Sequence, residues 1–99
     1  MTINKTQSGE KTVFAMSGRL DTTTAPKLQE ALIPEFDSVN HVVADFAELA
    51  YVSSAGLRVL LMGEKAAKAK SGRFTLVNVP AEIMEVFEMT GFAGMLNIE

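Results

Sequence analysis

The 99-residue sequence predicts an α/β domain, because strand-like apolar runs alternate with stretches of helical periodicity along the whole chain. Two segments carry most of this prediction. Residues 41–46 (HVVADF) are almost continuously apolar, as expected of a central strand covered on both faces. Residues 25–32 place Ala25, Leu28 and Leu32 at helical spacings. The length is close to the commonest domain size, so we predict one domain over residues 1–99.

The first third of the chain predicts two strands and a helix. A short N-terminal edge strand precedes a strand over residues 12–16, which residues 17–18 (SG) are expected to end. Residues 21–24 (DTTT) offer side chains that cap a helix. The helix then continues until Pro34 stops or bends it.

The rest of the chain predicts three strands and two helices. In chain order they are a middle strand, a helix, a strand, a helix and a last short strand, at about residues 41–46, 54–70, 73–77, 80–90 and 95–98. A connection through residues 48–50 is expected between the middle strand and the following helix. Gly91 is the natural C-terminal cap of the last helix.

The helix that begins near residue 54 has two apolar faces. One of them is suited to close packing against a sheet, since it combines large and small residues: Val59, Leu60, Gly63, Ala66 and Ala67. Leu57 and Leu61 fall on another face together with Glu64. We therefore expect large apolar side chains near the surface at the beginning of this helix.

Composition and charge argue against several classes of function. Nine basic residues against twelve acidic ones, scattered along the chain, do not form the basic surface that nucleic acids require. The chain has no cysteine and one histidine, His41, which leaves no thiolate or histidine metal cluster and no acid–base pair for an enzyme. No glycine-rich phosphate loop is present, so no cofactor is expected. Without a signal peptide or a long apolar segment, the chain is expected to be cytoplasmic and not inserted into a membrane.

Residues 53–57 (SSAGL) place two hydroxyl groups where a strand leads into a helix. One interpretation is a helix cap, in which Ser53 or Ser54 accepts a hydrogen bond from an N–H group of the first turn. The other is a phosphorylation site, because the N–H groups and the dipole of a helix N-terminus stabilise an attached phosphate. Such a phosphate adds about −1.5 to −2 charges without unfolding its host. Local chemistry leaves both interpretations open.

Four motifs, in this order along nearly the whole chain, resemble those of the STAS domain family and in particular of its stand-alone bacterial anti-sigma factor antagonists. They are residues 17–21 (SGRLD), 42–46 (VVADF), 51–57 (YVSSAGL) and 87–91 (FEMTG). The resemblance implies a single STAS-like domain over residues 1–99, with a mixed β-sheet and helices packed mainly on one side.

The resemblance also implies a function as an anti-sigma factor antagonist. The unphosphorylated form would bind an anti-sigma factor, often one with serine kinase activity, and so free a sigma factor. Phosphorylation of Ser54, with Ser53 as the second candidate, would end that binding, and a serine phosphatase would restore it. The implied partner-binding residues are Asp21, Thr22, Ser53, Ser54, Leu57, Arg58, Leu61 and Met62.

Some positions depart from the family pattern or allow a second interpretation. Well-known members carry Asp where this chain has Ser53, and a hydroxyl residue where it has Ala55. Asp21 matches the family's aspartate in the loop beside the phosphorylation site, but it is equally suited to be a helix-cap or turn residue, and Asp45, at a strand end, is expected to be structural. The alternative function is an adaptor STAS subunit of an ABC-type membrane transport complex, which would need no phosphate.

Overall fold

A five-stranded mixed sheet forms the centre of the computed structural model, which describes residues 1–99. The strands and helices, in chain order, are β1 (Thr2–Ser8), β2 (Lys11–Leu20), α1 (Ala25–Leu32), β3 (His41–Val52), α2 (Ser54–Ala69), β4 (Arg73–Val77), α3 (Ala81–Thr90) and β5 (Asn97–Ile98). Short 3₁₀ helices follow α1 and α3 at Ile33–Asp37 and Phe92–Gly94. The predicted α/β class and the order of its elements are confirmed.

The strands lie in the order β1-β2-β3-β4-β5, so β3 is the middle strand, as predicted. Strand β1 pairs antiparallel with β2, and every other pair is parallel. Parallel neighbours need crossover connections, which α1, α2 and α3 provide. The sheet is therefore mixed because one hairpin is added to a parallel core.

The helices pack on one face of the sheet. On this face Phe46 of β3 meets Phe87 of α3 edge to face, with ring centroids 6.1 Å apart. Phe74 of β4 meets Phe36 of the first 3₁₀ helix in the same way, at 6.0 Å. Aromatic pairs in this geometry contribute about 0.5–1.5 kcal/mol beyond the area that they bury. They join the N-terminal and C-terminal halves of the chain in one core.

The opposite face of the sheet carries no helix, and we call it the open face. Because successive strand side chains alternate between faces, the open face carries the cross-strand neighbours Val13, Val43 and Thr75. The prediction that the middle strand is covered on both faces is therefore wrong. Short side chains on neighbouring strands shield Val43, which is 7% exposed, without a covering helix.

Strands β2 and β3 extend beyond their predicted ends. The SG pair does not end β2, and residues 48–50, predicted as a connection, belong to β3. The register between the two strands shifts after Ala15 and again after Gly18, and each time β3 has one extra residue. Such bulges let pairing continue past a mismatch, and the positive φ of Gly18 (92°) is easily adopted only by glycine.

The predicted packing stripe of α2 is confirmed, since Val59, Leu60, Gly63 and Ala67 are buried and Ala66 is half-buried. The helix approaches the sheet so closely that a Cβ atom on Gly63 would lie 2.9 Å from Phe74 Cε2. The predicted cap of α3 is also confirmed, because Gly91 ends it in a left-handed conformation with φ at 82°.

A buried carboxylate, which the sequence analysis missed, links the edge of the sheet to the first 3₁₀ helix. Thr12 Oγ1 donates a hydrogen bond to Glu35 Oε2 at 2.7 Å, and Lys5 Nζ lies 2.9 Å from Glu35 Oε1. Burial acts to raise the pKa of Glu35, but the hydrogen bond from Thr12 and the charge of Lys5 outweigh it. The pKa therefore lies below its ordinary value. Glu35 is thus a charged anchor inside the fold.

We predict that Glu35→Gln lowers the free energy of unfolding by about 1–3 kcal/mol at neutral pH, because the charged partner of Thr12 and Lys5 is lost. Urea unfolding followed by circular dichroism measures this change. Asp37→Asn is the matched control, since its ion pair with Lys70 (3.0 Å) is exposed on both sides and contributes at most about 1 kcal/mol. Equal effects of the two substitutions would contradict the assignment.

Glu35 also makes stability depend on pH. Because its pKa is lower in the folded than in the unfolded state, the unfolded chain binds more protons in the interval between the two values. This stabilisation is complete above the ordinary value of 4.5 and is lost as the pH falls through the lower, folded value. Glu35→Gln is expected to remove that part of the acid dependence.

Candidate functional site

The two serines of the SSAGL motif have different positions at the start of α2. Ser53 is the N-cap, and its Oγ accepts a hydrogen bond from the N–H of Gly56 at 3.3 Å. Its own N–H donates to Leu20 O at 2.8 Å, which ties the helix start to the end of β2. Ser54 is the first residue of α2, is exposed, and does not make the capping bond. Ser53 therefore has the structural role, while the hydroxyl of Ser54 remains accessible.

Gly56 sets how closely α2 approaches the sheet. A Cβ atom at this position would lie 2.7 Å from Leu20 Cγ and 3.1 Å from the backbone oxygen of Leu20. Both distances are shorter than ordinary van der Waals contact, so a larger residue would push the first turn of α2 away from β2. The serines are positioned by this contact.

Asp21 organises the loop between β2 and α1. This loop begins beside the serines, because the N–H of Ser53 donates a hydrogen bond to Leu20 O at the end of β2. Asp21 Oδ1 accepts hydrogen bonds from the N–H groups of Thr23 and Thr24, both at 3.1 Å, and from Thr23 Oγ1 at 2.8 Å. The hydrogen bond from the Thr23 hydroxyl is the main reason why the pKa of Asp21 lies below its ordinary value. The interpretation of Asp21 as a turn residue is confirmed, while Thr24 occupies the N-cap of α1.

A shallow groove between α1 and α2 brings together several predicted site residues. It has a volume of about 180 Å³, and Thr22, Arg58 and Met62 contribute to its walls. The rest of the lining is mostly apolar and consists of Ala25, Pro26, Gln29, Ala55 and Val59. The groove lies along the helix that starts with the serines, so a partner that covers Ser54 can reach it.

Leu57 is not part of this surface. It is 4% exposed and belongs to the hydrophobic core, so its predicted position near the surface is wrong. Leu57 lies on the side of α2 that contributes to the core, together with Leu60. Leu61 is half-buried, whereas Arg58 is exposed and Met62 is 38% exposed.

The sequence analysis missed a contact between Arg19 and Tyr51. These residues are cross-strand neighbours, and the Arg19 guanidinium carbon lies 4.1 Å from the centre of the Tyr51 ring. The Nε of Arg19 also lies 3.9 Å from Asp21 Oδ2. Both residues belong to motifs described above, but their contact depends on the second bulge in β3, which no local pattern indicates.

The other candidate positions have structural contacts. Asp45 Oδ1 accepts hydrogen bonds from the N–H of Ala47 at 3.0 Å and from Asn78 Nδ2 at 3.1 Å, which supports the structural role predicted for it. No group of three or more His, Cys, Asp and Glu side chains is arranged to hold a metal ion. None of the helices combines the length and the apolar character needed to cross a membrane.

The division of roles between the serines can be tested by stability. We expect Ser53→Ala to lower the free energy of unfolding by about 1 kcal/mol, because an N–H group of the first turn loses its acceptor. We expect Ser54→Ala to change it by less than about 0.5 kcal/mol, as is usual for exposed positions. Thermal unfolding of the two variants measures both values, and the reverse order would assign the cap to Ser54.

A mixed sheet with helices on one face, and a serine pair at the start of the helix that follows the middle strand, are the features of a STAS-type domain. The family model described as "Mlab, STAS domain" matches residues 3–97. The chain therefore belongs to the STAS domain family, as its motifs predicted.

Relatives and solved structures agree with this assignment. BtrV of Bordetella bronchiseptica, named as an anti-sigma factor antagonist, is 31% identical over 87% of this chain and 75% of its own length. The anti-sigma factor antagonist SpoIIAA in its unphosphorylated form superposes with a TM-score of 0.79 at 18% identity, covering 99% of this chain and 87% of SpoIIAA. Its phosphorylated form, from Bacillus, gives 0.76 at 19% identity, covering 99% and 91%. At such identities the two superpositions show the common fold.

Proposed function

We propose that this protein is an anti-sigma factor antagonist that is switched by phosphorylation of Ser54. The observation that carries the proposal is the accessible hydroxyl of Ser54 in the first turn of α2, next to a cap that Ser53 already supplies. The names of the relatives support the same function. In this proposal the protein is a cytoplasmic regulator that binds a partner and catalyses no reaction.

The unphosphorylated surface is suited to a protein partner. Ser54 is exposed beside the small Ala55, and Arg58 and Met62 lie one and two turns further along the exposed side of α2. An anti-sigma factor with serine kinase activity would cover this surface and so release its sigma factor. The kinase activity of the same partner would then place a phosphate on Ser54.

A phosphate on Ser54 would change the charge of this surface without changing the fold. Ser54 N–H belongs to the first turn, where a helix leaves N–H groups without intrahelical acceptors and favours negative charge. The protein would therefore tolerate the phosphate, whereas an apposed partner would face about two new negative charges. Like charges at an interface cost several kcal/mol, and each 1.4 kcal/mol is a tenfold loss of affinity. A serine phosphatase would restore binding.

The proposal is tested by incubating the protein with its cognate kinase and ATP and mapping the phosphate by mass spectrometry. We expect phosphate on Ser54 of the wild type and none on Ser54→Ala. Calorimetric titration with the anti-sigma factor is expected to show binding by the wild type and Ser54→Ala. Ser54→Asp is expected to bind at least about a hundredfold more weakly.

The matched control is Ser38→Asp, because Ser38 is an exposed serine next to Asp37, which pairs with Lys70 at the opposite end of α2 from Ser54. It adds the same charge and should leave binding unchanged. Phosphate on another residue, or binding by Ser54→Asp that equals that of the control, would contradict the proposal.

The second candidate is an adaptor subunit of an ABC-type membrane transport complex. The observation that favours it is the pair of altered neighbours, Ser53 and Ala55, since Ser53 is engaged as a cap and Ala55 lines the groove. Such an adaptor would co-purify with an ATP-binding cassette protein, and Ser54→Ala would be fully active in transport. A phosphorylated Ser54 and an anti-sigma factor in the same complex would exclude it.

A further inference from the structure

The open face of the sheet carries basic residues without an ion-pair partner at one end and an acidic residue without one near the other, where Arg19 is paired with Asp21. At one end Lys11, His41 and Arg73 are direct cross-strand neighbours on β2, β3 and β4. Near the other end Glu48 pairs with Ser17 across β2 and β3. Six residues of β2 separate Lys11 from Ser17, which corresponds to about 20 Å along the strand.

These end charges have no ion-pair partner within the chain. The ion pairs of the structure involve Lys5, Arg19, Lys68 and Lys70, and neither Lys11, Arg73 nor Glu48 takes part in them. The basic end is also reflected in the pKa of His41. Burial lowers this pKa, and the charges of Arg73 and Lys11 lower it further, although Glu99 acts in the opposite direction.

The middle of the open face carries mostly short side chains, and its one charged group is the carboxylate of Asp45. Val13, Val43 and Thr75 form a cross-strand row of short side chains, and the next row contains Ala15, Asp45 and Val77. The carboxylate of Asp45 in that row already accepts two hydrogen bonds from within the chain. Short side chains of this kind allow a second sheet to pack at about 10 Å.

We propose that the open face binds the open face of a second copy of this chain, in a two-fold symmetric dimer. A two-fold axis that lies between the two sheets and crosses the strands reverses the strand direction of one copy. It therefore places the basic end of each copy over the acidic end of the other. Glu48 of one copy then lies between Lys11 and Arg73 of its partner, twice in the dimer, as in any isologous interface.

The size of the face suits a weak association. The five strands, of which β4 and β5 are short, cover roughly 600 Å² per copy at about 3.3 Å per residue and about 4.8 Å between strands, or about 1,200 Å² in total. This is the lower limit of specific interfaces. Since α2 packs against the opposite face, the dimer would leave Ser54 of both copies accessible, so this proposal does not rest on the proposed function.

Sedimentation equilibrium over a series of protein concentrations tests the dimer. We expect wild-type protein to dimerise at low ionic strength and to dissociate as salt screens the end charges. Lys11→Glu with Arg73→Glu, and separately Glu48→Arg, should each weaken the dimer at least about tenfold. An equimolar mixture of these two variants should associate again, because one variant then carries an acidic face and the other a basic face.

The matched control is Lys27→Glu with Lys65→Glu. It gives the same change in net charge at exposed positions on α1 and α2, and it should dimerise as the wild type does. A wild type that stays monomeric at every concentration and salt overturns the proposal, as does a control that is weakened as much as the open-face variant. If a variant unfolds, the salt dependence of wild-type dimerisation is by itself a test of the proposal. A wild-type dimer whose dissociation constant does not change with salt would also overturn the proposal.

Discussion

Replacing Gly56 by valine is expected to destabilise the domain by about 2–3 kcal/mol and to displace the start of α2. The added Cβ would lie 2.7 Å from Leu20 Cγ and 3.1 Å from the Leu20 backbone oxygen. The side chain of Leu20 is fully buried and the oxygen accepts the N–H of Ser53, so neither can move freely. Overpacking of this kind typically costs about 1–3 kcal/mol. Because the valine side chain has two methyl groups beyond its Cβ atom, we expect a cost at the upper end of this range.

For a domain of this size, such a loss corresponds to a fall in Tm of about 8–24 °C, which differential scanning calorimetry measures. Gly94→Ala is the control, because a Cβ atom there meets nothing within 4 Å and its φ is not positive. Gly56→Val should also weaken the capping bond of Ser53, which faster hydrogen exchange of the backbone amide at position 56 would show. An unchanged Tm would mean that α2 can shift without loss.

Leu57→Ala is expected to affect mainly the stability of the domain, and Met62→Ala mainly its binding to the partner. Leu57 is 4% exposed in the core, so its truncation should lower the free energy of unfolding by about 2–5 kcal/mol. Met62 is 38% exposed beside the groove, so its truncation should cost less than about 1 kcal/mol.

Binding should show the reverse order. At a temperature where both variants are folded, Leu57→Ala should bind the partner as the wild type does, whereas Met62→Ala should bind about tenfold more weakly if the groove is covered. Urea unfolding and calorimetric titration provide the two measurements. A direct role of Leu57 in binding would appear as lost affinity in a folded Leu57→Ala protein.

Local patterns predicted those parts of the fold that depend on neighbouring residues. The stripe of α1, the limits of β4 and the left-handed cap at Gly91 follow from spacings and residue types within a few positions. The SSAGL motif was also recognised locally, because hydroxyl groups and a glycine at a helix start have few other uses. The motif therefore indicated the start of a helix, while Ser54 as the phosphorylation site, which the resemblance implied, stays a prediction.

Contacts between distant residues escaped prediction. Glu35 meets Thr12 and Lys5 from a separate part of the chain, and nothing in its own neighbourhood indicates a buried charge. The true ends of β2 and β3 depend on two bulges that exist only when the strands pair. The contact between Arg19 and Tyr51 depends on the same pairing.

By itself, the sequence determined the class of fold, the order of its elements and the position of the candidate serine, because periodicity and capping are local. Only the tertiary structure decided which serine is the cap, that Leu57 points into the core, and that one face of the sheet stays open. These outcomes depend on how closely α2 approaches β2 at Gly56 and on the side from which the helices cover the sheet. Such distances are set by packing between distant segments, which no local pattern encodes.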